Sequence, residues 1–327
     1  MSKKTCLSLL LLAVLGAGTL QVYSWGFFAH KRINRLAVFT LPAGMIEVYK
    51  THIEYITENA VAPDKRRYGP SGSVEAPRHY IDIDHYGESP FDSMPRYWKD
   101  AVRKYTEDTL QAYGIVPWHI ARVTGWLSEA FRDEDLDKVI RLSADLGHYI
   151  ADAHVPLHTT LNYNGKMTNQ RGIHAFWETR LPELFSDDYD FFVGKAVYIE
   201  NPLAQAWEIV EASFAALDSV LLFEATLNSE FDQDKKYSFE QRGQKTVRVY
   251  SREYSEEYHR RLNGQVERRL RSSIHFIGSY WYTAWVNAGK PDLKRLSDKV
   301  LSKEAKKSLQ EEEDMWRTGK IKGREHE

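Results

Sequence analysis

The chain has 327 residues, 13% of them aromatic, nine tryptophans and a formal net charge of −2. This charge balance gives no general attraction to nucleic acid or to an anionic membrane surface. The aromatic content is sufficient for a large buried core. The one cysteine, Cys6, lies in the N-terminal segment, so the remainder of the sequence has no disulfide and no thiolate metal site.

Residues 1–24 have the pattern of an export signal. Two lysines precede the apolar run Leu7–Leu15, and small residues suited to a cleavage site end at Ser24. The run is too short to span a bilayer, which needs about 20 apolar residues. We therefore expect cleavage after Ser24 and a mature chain that begins at Trp25 with no transmembrane anchor. A periplasmic or extracellular location follows.

The pattern after Trp25 is helical almost throughout. Apolar residues at helical spacing predict helices in segments 33–39, 46–56, 97–113, 117–132, 135–155, 173–185, 202–227, 239–262 and 265–288. No alternating strand pattern of useful length is found. The sequence therefore predicts one all-α domain, a single multi-helix unit over residues 25–290.

Two long irregular stretches interrupt the helices. Residues 62–95 contain repeated prolines and glycines, and residues 159–172 read TTLNYNGKMTNQRG. Loops of this length inside a compact domain tend to be functional or disordered. Residues 291–327 form a highly charged C-terminal tail, which we expect to be peripheral or disordered.

Candidate metal ligands lie in the segments GHYIADAHVPLH and HAFWE. His148 and Asp152 are four residues apart, so both point to the same side of a helix. A proline should end that helix and turn His158 away from the pair. His174 and Glu178 form a second pair at the same spacing. Zinc prefers imidazole and carboxylate ligands where thiols are absent, although each pair alone is more often a surface ion pair or a core histidine with a partner.

With further residues, these pairs resemble the ligand order of the zinc-dependent phospholipases C and the zinc-dependent single-strand-specific nucleases. The members are secreted, all-helical phosphodiesterases with three zinc ions. Their mature chain starts with a tryptophan whose amine and carbonyl bind a metal. The resemblance implies nine ligands in this chain: Trp25, His30, Asp64, His79, His148, Asp152, His158, His174 and Glu178.

The same resemblance implies how the ligands divide. One zinc would be bound by Asp64, His79, His148 and Asp152, a second by Trp25, His30 and the bridging Asp152, and a third by His158, His174 and Glu178 with one open position. The implied reaction is metal-assisted hydrolysis of a phosphodiester. Asp64, Asp152 and Arg67 are the catalytic candidates. Arg67 would bind a phosphoryl oxygen, although a solvated side chain in the run DKRR is an equal alternative.

The motifs divide between the two branches of the family. Glu178, the short step from His158 to His174 and the stretch HYIDID are closer to the phospholipase C branch. The step from Trp25 to His30 and the place of Arg67 are closer to the nucleases, but the glycine-rich GGN element of the nucleases is missing. We therefore expect a phospholipase C-like enzyme, with a nuclease acting on single-stranded DNA or RNA as the alternative.

Two further interpretations concern other classes of protein. A non-catalytic zinc-binding helical protein is possible, but structural zinc sites have four protein ligands, whereas the third set has three. A di-iron bundle needs two Glu-x-x-His pairs, and only Glu256 with His259 was found. Among the other histidines, His85 and His154 are candidates to orient a ligand. The sequence implies no stable protein partner.

Overall fold

The computed structural model describes residues 26–242, 245–297 and 299–324. The predicted export signal and Trp25 lie outside these ranges. The helices are α1 (Gly26–Ala37), α2 (Ala43–Thr51), α3 (Ile53–Glu58), α4 (Ala62–Arg66), α5 (Gly72–Glu75), α6 (Pro90–Ser93), α7 (Trp98–Tyr105), α8 (Glu107–Tyr113), α9 (Val116–Arg132), α10 (Leu136–Ala153), α11 (Leu181–Phe185), α12 (Pro202–Glu230), α13 (Arg252–Arg261), α14 (Gln265–Asn287), α15 (Lys294–Ser297) and α16 (Lys303–Thr318). The prediction of a mostly helical, all-α protein is confirmed.

Shorter helical turns connect these elements. Turns of 3₁₀ helix cover Val38–Thr40, Asn59–Val61, Ala76–Arg78, Ile83–Tyr86, Pro156–Thr159, Ser186–Asp188 and Gln233–Lys235, and a π-helical turn covers Ala175–Arg180. Much of the predicted irregular stretch 62–95 is therefore a series of short turns. The predicted helix 97–113 is two helices, because Thr106 has a φ of 69° and ends α7.

A β-hairpin replaces the first part of the helix predicted over 239–262. Strands β1 (Tyr237–Arg242) and β2 (Lys245–Tyr250) pair antiparallel. One face combines Phe239 with Arg248, and the other combines Glu240 with Val247. Apolar and polar residues alternate over only about four positions in each strand, and neither face is uniformly apolar, so the signal for a strand was too short and the prediction of a helix was wrong.

Helix α10 lies at the centre of the core. Every residue from Leu142 to Ala153 is buried, as expected for a helix surrounded by others. It packs against α1, α3, α9 and α14. Polar side chains fix its position: the indole N–H of Trp281 donates to the carbonyl oxygen of Ser143 at 2.9 Å, and the Tyr49 hydroxyl lies 2.8 Å from the Ser143 hydroxyl. His148 and Asp152 are thereby held in the interior.

The predicted peripheral or disordered tail forms a surface helix in the described residues up to Arg324. Helix α16 lies on α4, where Lys65 contacts Glu313 at 2.7 Å and Arg66 contacts Glu312 at 3.3 Å. Side chains with charges of opposite sign on α4 and α16 explain why a highly charged segment is ordered here. Across the described helices, none is long and apolar enough to cross a membrane.

Because α1 packs closely on α10, replacing a glycine at their contact by alanine should destabilise the fold. A Cβ added at Gly147 would lie 2.1 Å from Oδ1 of the buried Asn34. We expect Gly147→Ala to lower the free energy of unfolding by about 1–3 kcal/mol through overpacking. Urea denaturation measures this, with Gly125→Ala on exposed space of α9 as control. The control should be stabilised by about 1 kcal/mol because alanine is the better helix former. Equal effects would contradict the packing argument.

Candidate metal centre

The structure gathers the predicted ligands from six segments of the chain. His30 lies on α1, Asp64 on α4, His79 directly after the turn Ala76–Arg78, His148 and Asp152 on α10, His158 in the turn Pro156–Thr159, and His174 and Glu178 at the π-helical turn. Eight of the nine predicted ligands thus lie close together in three groups, two of which share His148. The ninth, Trp25, lies outside the described residues.

The Asp152 carboxylate stands at the centre of the cluster. Its Oδ2 lies 2.9 Å from Nδ1 of His79 and 3.1 Å from Nε2 of His148. Its Oδ1 lies 3.3 Å from Nε2 of His30 and 3.7 Å from Nδ1 of His158. Because the two oxygens face different histidines, one carboxylate can serve two ions.

Asp64 completes the group around His79 and His148. Its Oδ1 lies 3.6 Å from Nδ1 of His79 and 3.9 Å from Nε2 of His148. His148 also belongs to the group of His30 and Asp152. A single imidazole nitrogen has one lone pair, so His148 can bind an ion in only one of these two groups.

The third group consists of His158, His174 and Glu178. Nε2 of His174 lies 2.7 Å from Oε2 of Glu178, and Nε2 of His158 lies 3.2 Å from the same oxygen. The π-helical turn between His174 and Glu178 keeps these residues on one side of the backbone. Such turns are frequently found at functional sites.

The tautomer of His148 is fixed by the backbone. Its Nδ1 lies 2.8 Å from the carbonyl oxygen of Ala60, so Nδ1 carries a proton and donates. In the neutral ring, Nε2 then holds a lone pair, and this lone pair faces the Asp152 carboxylate. Two acceptors so close repel one another, so this position favours a cation or a proton between them; Nδ1 of His79, 2.9 Å from Nε2 of His148, is a nearby group that could donate such a proton.

His158 is oriented in the same way. Its Nδ1 donates to the carbonyl oxygen of His79 at 2.8 Å. Its Nε2 faces Nε2 of His174 at 3.0 Å as well as the Glu178 carboxylate. Backbone carbonyls that hold one nitrogen of a histidine and aim the other are typical of metal-binding imidazoles.

The protonation equilibria show how strongly these positions favour positive charge. Burial lowers the pKa of His148, but the Asp152 carboxylate outweighs it and raises the pKa to about 9. Burial likewise lowers the pKa of His158, but the Asp152 and Glu178 carboxylates outweigh it and raise the pKa to about 9. Burial would raise the pKa values of the two carboxyls, yet the adjacent imidazoles hold both well below their usual range.

The donor set fits a metal ion. Buried carboxylates need a compensating charge, and nitrogen with carboxylate oxygen is a set that zinc accepts. His30 adds an observation of its own, because its Nδ1 is buried and makes no hydrogen bond to the part of the chain that the structure describes. Several buried groups here could therefore hold metal ions.

Arg67 is not a solvated member of a charged run. Its side chain is 2% exposed, and Nη1 lies 3.5 Å from Oδ1 of Asp64. Its Nη2 donates to the carbonyl oxygen of Arg324. The guanidinium therefore lies directly beside a predicted metal ligand.

Glu75 was not predicted as a site residue, and it contacts the candidate ligand His79 on the side away from Asp152. Its buried carboxylate lies 3.7 Å from Nε2 of His79, and it also contacts Arg66 at 3.4 Å and Arg78 at 2.8 Å. Burial opposes ionisation of Glu75, but the bond with His79 and the arginine charges hold its pKa far below the usual range. The spacing of four residues between Glu75 and His79 is the one signal that could have indicated it.

The two histidines expected to orient ligands have other contacts. Nδ1 of His154 lies 2.7 Å from the Ile150 carbonyl oxygen, and Nε2 lies 3.1 Å from the Ser272 hydroxyl. His85 stacks on Tyr113 with ring centroids 3.3 Å apart. The orienting partners seen here are instead the carbonyl groups of Ala60 and His79.

The rings of Tyr80 and Tyr163 form a slot, which we name the aromatic slot, beside the candidate metal centre. Tyr80 directly follows His79, and Asp82 lies two residues further along the chain. The Tyr163 ring lies 6.0 Å from the His174 ring. The guanidinium of Arg324 lies between the rings of Tyr80 and Tyr163, 3.5 and 4.5 Å from their centroids, and pairs with Asp82. The slot thus accepts a flat, cationic group next to the candidate metal centre.

Comparison of the sequence with protein-family models gives no match, and comparison with curated proteins gives none either.

Proposed function

We propose that the protein is an exported zinc-dependent phosphodiesterase with three zinc ions, acting on phospholipids or similar small phosphodiesters. The observation that carries the proposal is the pair of fixed lone pairs, on His148 and His158, that face buried carboxylates. This arrangement favours positive charge at two neighbouring positions. A hydrolase that binds an anionic ester would use that charge.

The chain's own residues have distinct roles in this proposal. Asp152 would bridge two ions, since its oxygens face different histidines. When bound, zinc would lower the pKa of water to about 7 and so supply hydroxide at neutral pH. Arg67 would bind a phosphoryl oxygen through its planar donors. Asp64 holds the Arg67 guanidinium in place and would also bind an ion.

The third group supports a catalytic rather than a structural role. Within the described residues it offers His158, His174 and Glu178. Structural zinc sites are closed by four protein ligands, whereas catalytic sites keep a position for water or substrate. Three protein ligands would leave that position open.

A nuclease acting on single-stranded DNA or RNA is the second candidate. The slot between Tyr80 and Tyr163 favours it, because flat nucleobases stack on aromatic rings, at about 1–3 kcal/mol per base. Asp82 stands in the slot and could accept a hydrogen bond from a base. Because the GGN element is missing and Glu178 matches the phospholipase C branch, we rank the phospholipase C-like activity above the nuclease activity.

Metal content gives the first prediction. The purified protein that starts at Trp25 should contain close to three zinc ions, measured by mass spectrometry of metals. His148→Ala should release more than one, because Asp152 also loses a neighbour 3.1 Å away. The exposed His85, stacked on Tyr113, provides the control His85→Ala, which should leave the content unchanged. One zinc or none in active protein would contradict the proposal.

Hydrolysis assays test the activity itself. Phosphatidylcholine vesicles, bis-p-nitrophenyl phosphate and single-stranded DNA are compared before chelation, after chelation and after zinc is restored. We expect zinc-dependent hydrolysis of the lipid and the small diester. Cleavage of DNA alone would favour the nuclease. No zinc-dependent hydrolysis of any of the three would contradict the phosphodiesterase proposal.

A further inference from the structure

Residues 303–324, which we name the strap, cross the helix that carries Asp64. Helix α16 forms the first part of the strap and packs on α4 through the contacts of Lys65 with Glu313 and of Arg66 with Glu312. The ring of Trp316 also lies 5.4 Å from the ring of Phe27 at the start of α1. The strap is therefore anchored on two helices that carry candidate metal ligands.

The end of the strap approaches the centre closely. The Lys322 amide donates to the Arg67 carbonyl oxygen at 3.1 Å. Gly323 has a φ of 85°, and a Cβ there would lie 2.4 Å from the Ala76 methyl group. Only glycine fits such a backbone conformation and such an approach without strain. The path of the strap is thus specific, and it leads to the turn that precedes His79.

The next residue, Arg324, fills the aromatic slot. Its side chain is 14% exposed, and its guanidinium lies over Tyr80 and Tyr163 and pairs with Asp82. Burial lowers its pKa to about 10, so the group is still charged at neutral pH. A guanidinium between two rings is a favourable cation–π arrangement.

The main chain of Arg324 occupies a second position, beside the Arg67 guanidinium. Its carbonyl oxygen accepts a hydrogen bond from the Arg67 guanidinium, where the proposed function places a phosphoryl oxygen. The side chain occupies the slot, where the nuclease candidate would stack a nucleobase. One residue therefore fills two adjacent parts of the proposed substrate position.

We propose that the strap is an autoinhibitory segment whose Arg324 must leave the slot before a phosphodiester can bind. The inference rests on the proposed function, in which Arg67 binds a phosphoryl oxygen of the substrate. The last residues of the strap can leave without α16, because the ion pairs with α4 all lie within α16. They are held by the hydrogen bond of the Lys322 amide, by that of the Lys322 ammonium to the Pro70 carbonyl oxygen at 3.3 Å, and by the Arg324 contacts.

The experiment compares the zinc-loaded full chain with two variants, Arg324→Ala and Lys320→Ala. Lys320 is an exposed residue of the same strap and serves as the matched control. With bis-p-nitrophenyl phosphate, Arg324→Ala should lower KM about tenfold, the factor expected if roughly one molecule in ten is open in the wild type. The kcat should stay the same, and Lys320→Ala should match the wild type. A higher KM or a lower kcat in Arg324→Ala would show that Arg324 assists the substrate, which overturns the proposal.

A second measurement does not depend on catalysis. The rate at which a chelating dye removes zinc reports how well the centre is covered, and Arg324→Ala should lose zinc several-fold faster than Lys320→Ala. Equal rates of zinc loss in the two variants would overturn the proposal that Arg324 covers the centre. If neither protein hydrolyses the diester, the proposed function fails, and the zinc-transfer rates still decide whether Arg324 covers the centre.

Discussion

Replacing Asp152 with asparagine should remove more than one zinc ion and reduce hydrolysis of bis-p-nitrophenyl phosphate by about a hundred- to a thousand-fold, as the loss of one preorganised charge-stabilising group does. The carboxylate faces four histidines, from 2.9 Å at His79 to 3.7 Å at His158. Asparagine keeps the shape of the side chain, but it has no charge and turns one oxygen into a donor. The group of His30 would lose its one carboxylate, and the group of His79 and His148 would keep only the Asp64 carboxylate.

The control is Asp133→Asn, the same chemical change on an exposed side chain in the turn before α10. Circular dichroism and urea denaturation establish whether the Asp152 variant is folded, and the metal content is measured beside kcat and KM. Full zinc content together with unchanged activity in Asp152→Asn would show that this carboxylate neither binds nor bridges metal ions.

The long helices were the part of the fold most open to prediction from the sequence. Helices α9, α10, α12 and α14 begin and end within a few residues of the predicted bounds. Each has apolar residues that recur at helical spacing over many turns, and such patterns are the strongest local signal. The hairpin was missed because apolar and polar residues alternate over only about four positions in each strand, and the exposed Phe239 adds no buried face to the pattern.

The candidate site was predictable where its residues are close in sequence. His148 with Asp152, and His174 with Glu178, come together because four residues make about one helical turn. The groups that orient these rings are remote: Ala60 is 88 residues from His148, and His79 is 79 residues from His158. No local pattern records such contacts, since they depend on how α10 packs against distant segments. Arg324 in the slot is equally remote from Tyr80.

The start of α1 lies at the candidate metal centre. A Cβ added at Gly26 would be 2.6 Å from Oε1 of Glu178 and 3.5 Å from the His30 ring. The backbone that enters α1 is therefore next to two candidate ligands. Trp25 is the residue that comes directly before it in the sequence.

If Trp25 is a ligand, activity depends on where the mature chain begins. A free α-amino group has a pKa near 8 and loses its proton to zinc readily. An amide nitrogen at the same place has a delocalised lone pair and does not bind unless it is deprotonated. A protein with Ser24 as one extra residue should therefore fold, because its core is unchanged. It should bind the His30 zinc weakly and hydrolyse phosphodiesters slower by orders of magnitude.

Two preparations make the comparison, one that starts at Trp25 and one that starts at Ser24, matched for folding by circular dichroism. Zinc content and turnover of bis-p-nitrophenyl phosphate are measured on both. A third preparation, with Trp25→Phe as the first residue, separates the amine from the indole, because it keeps the free amine and should retain most of the zinc and activity. Equal zinc and equal turnover in the Trp25 and Ser24 preparations would show that the tryptophan packs and does not bind metal.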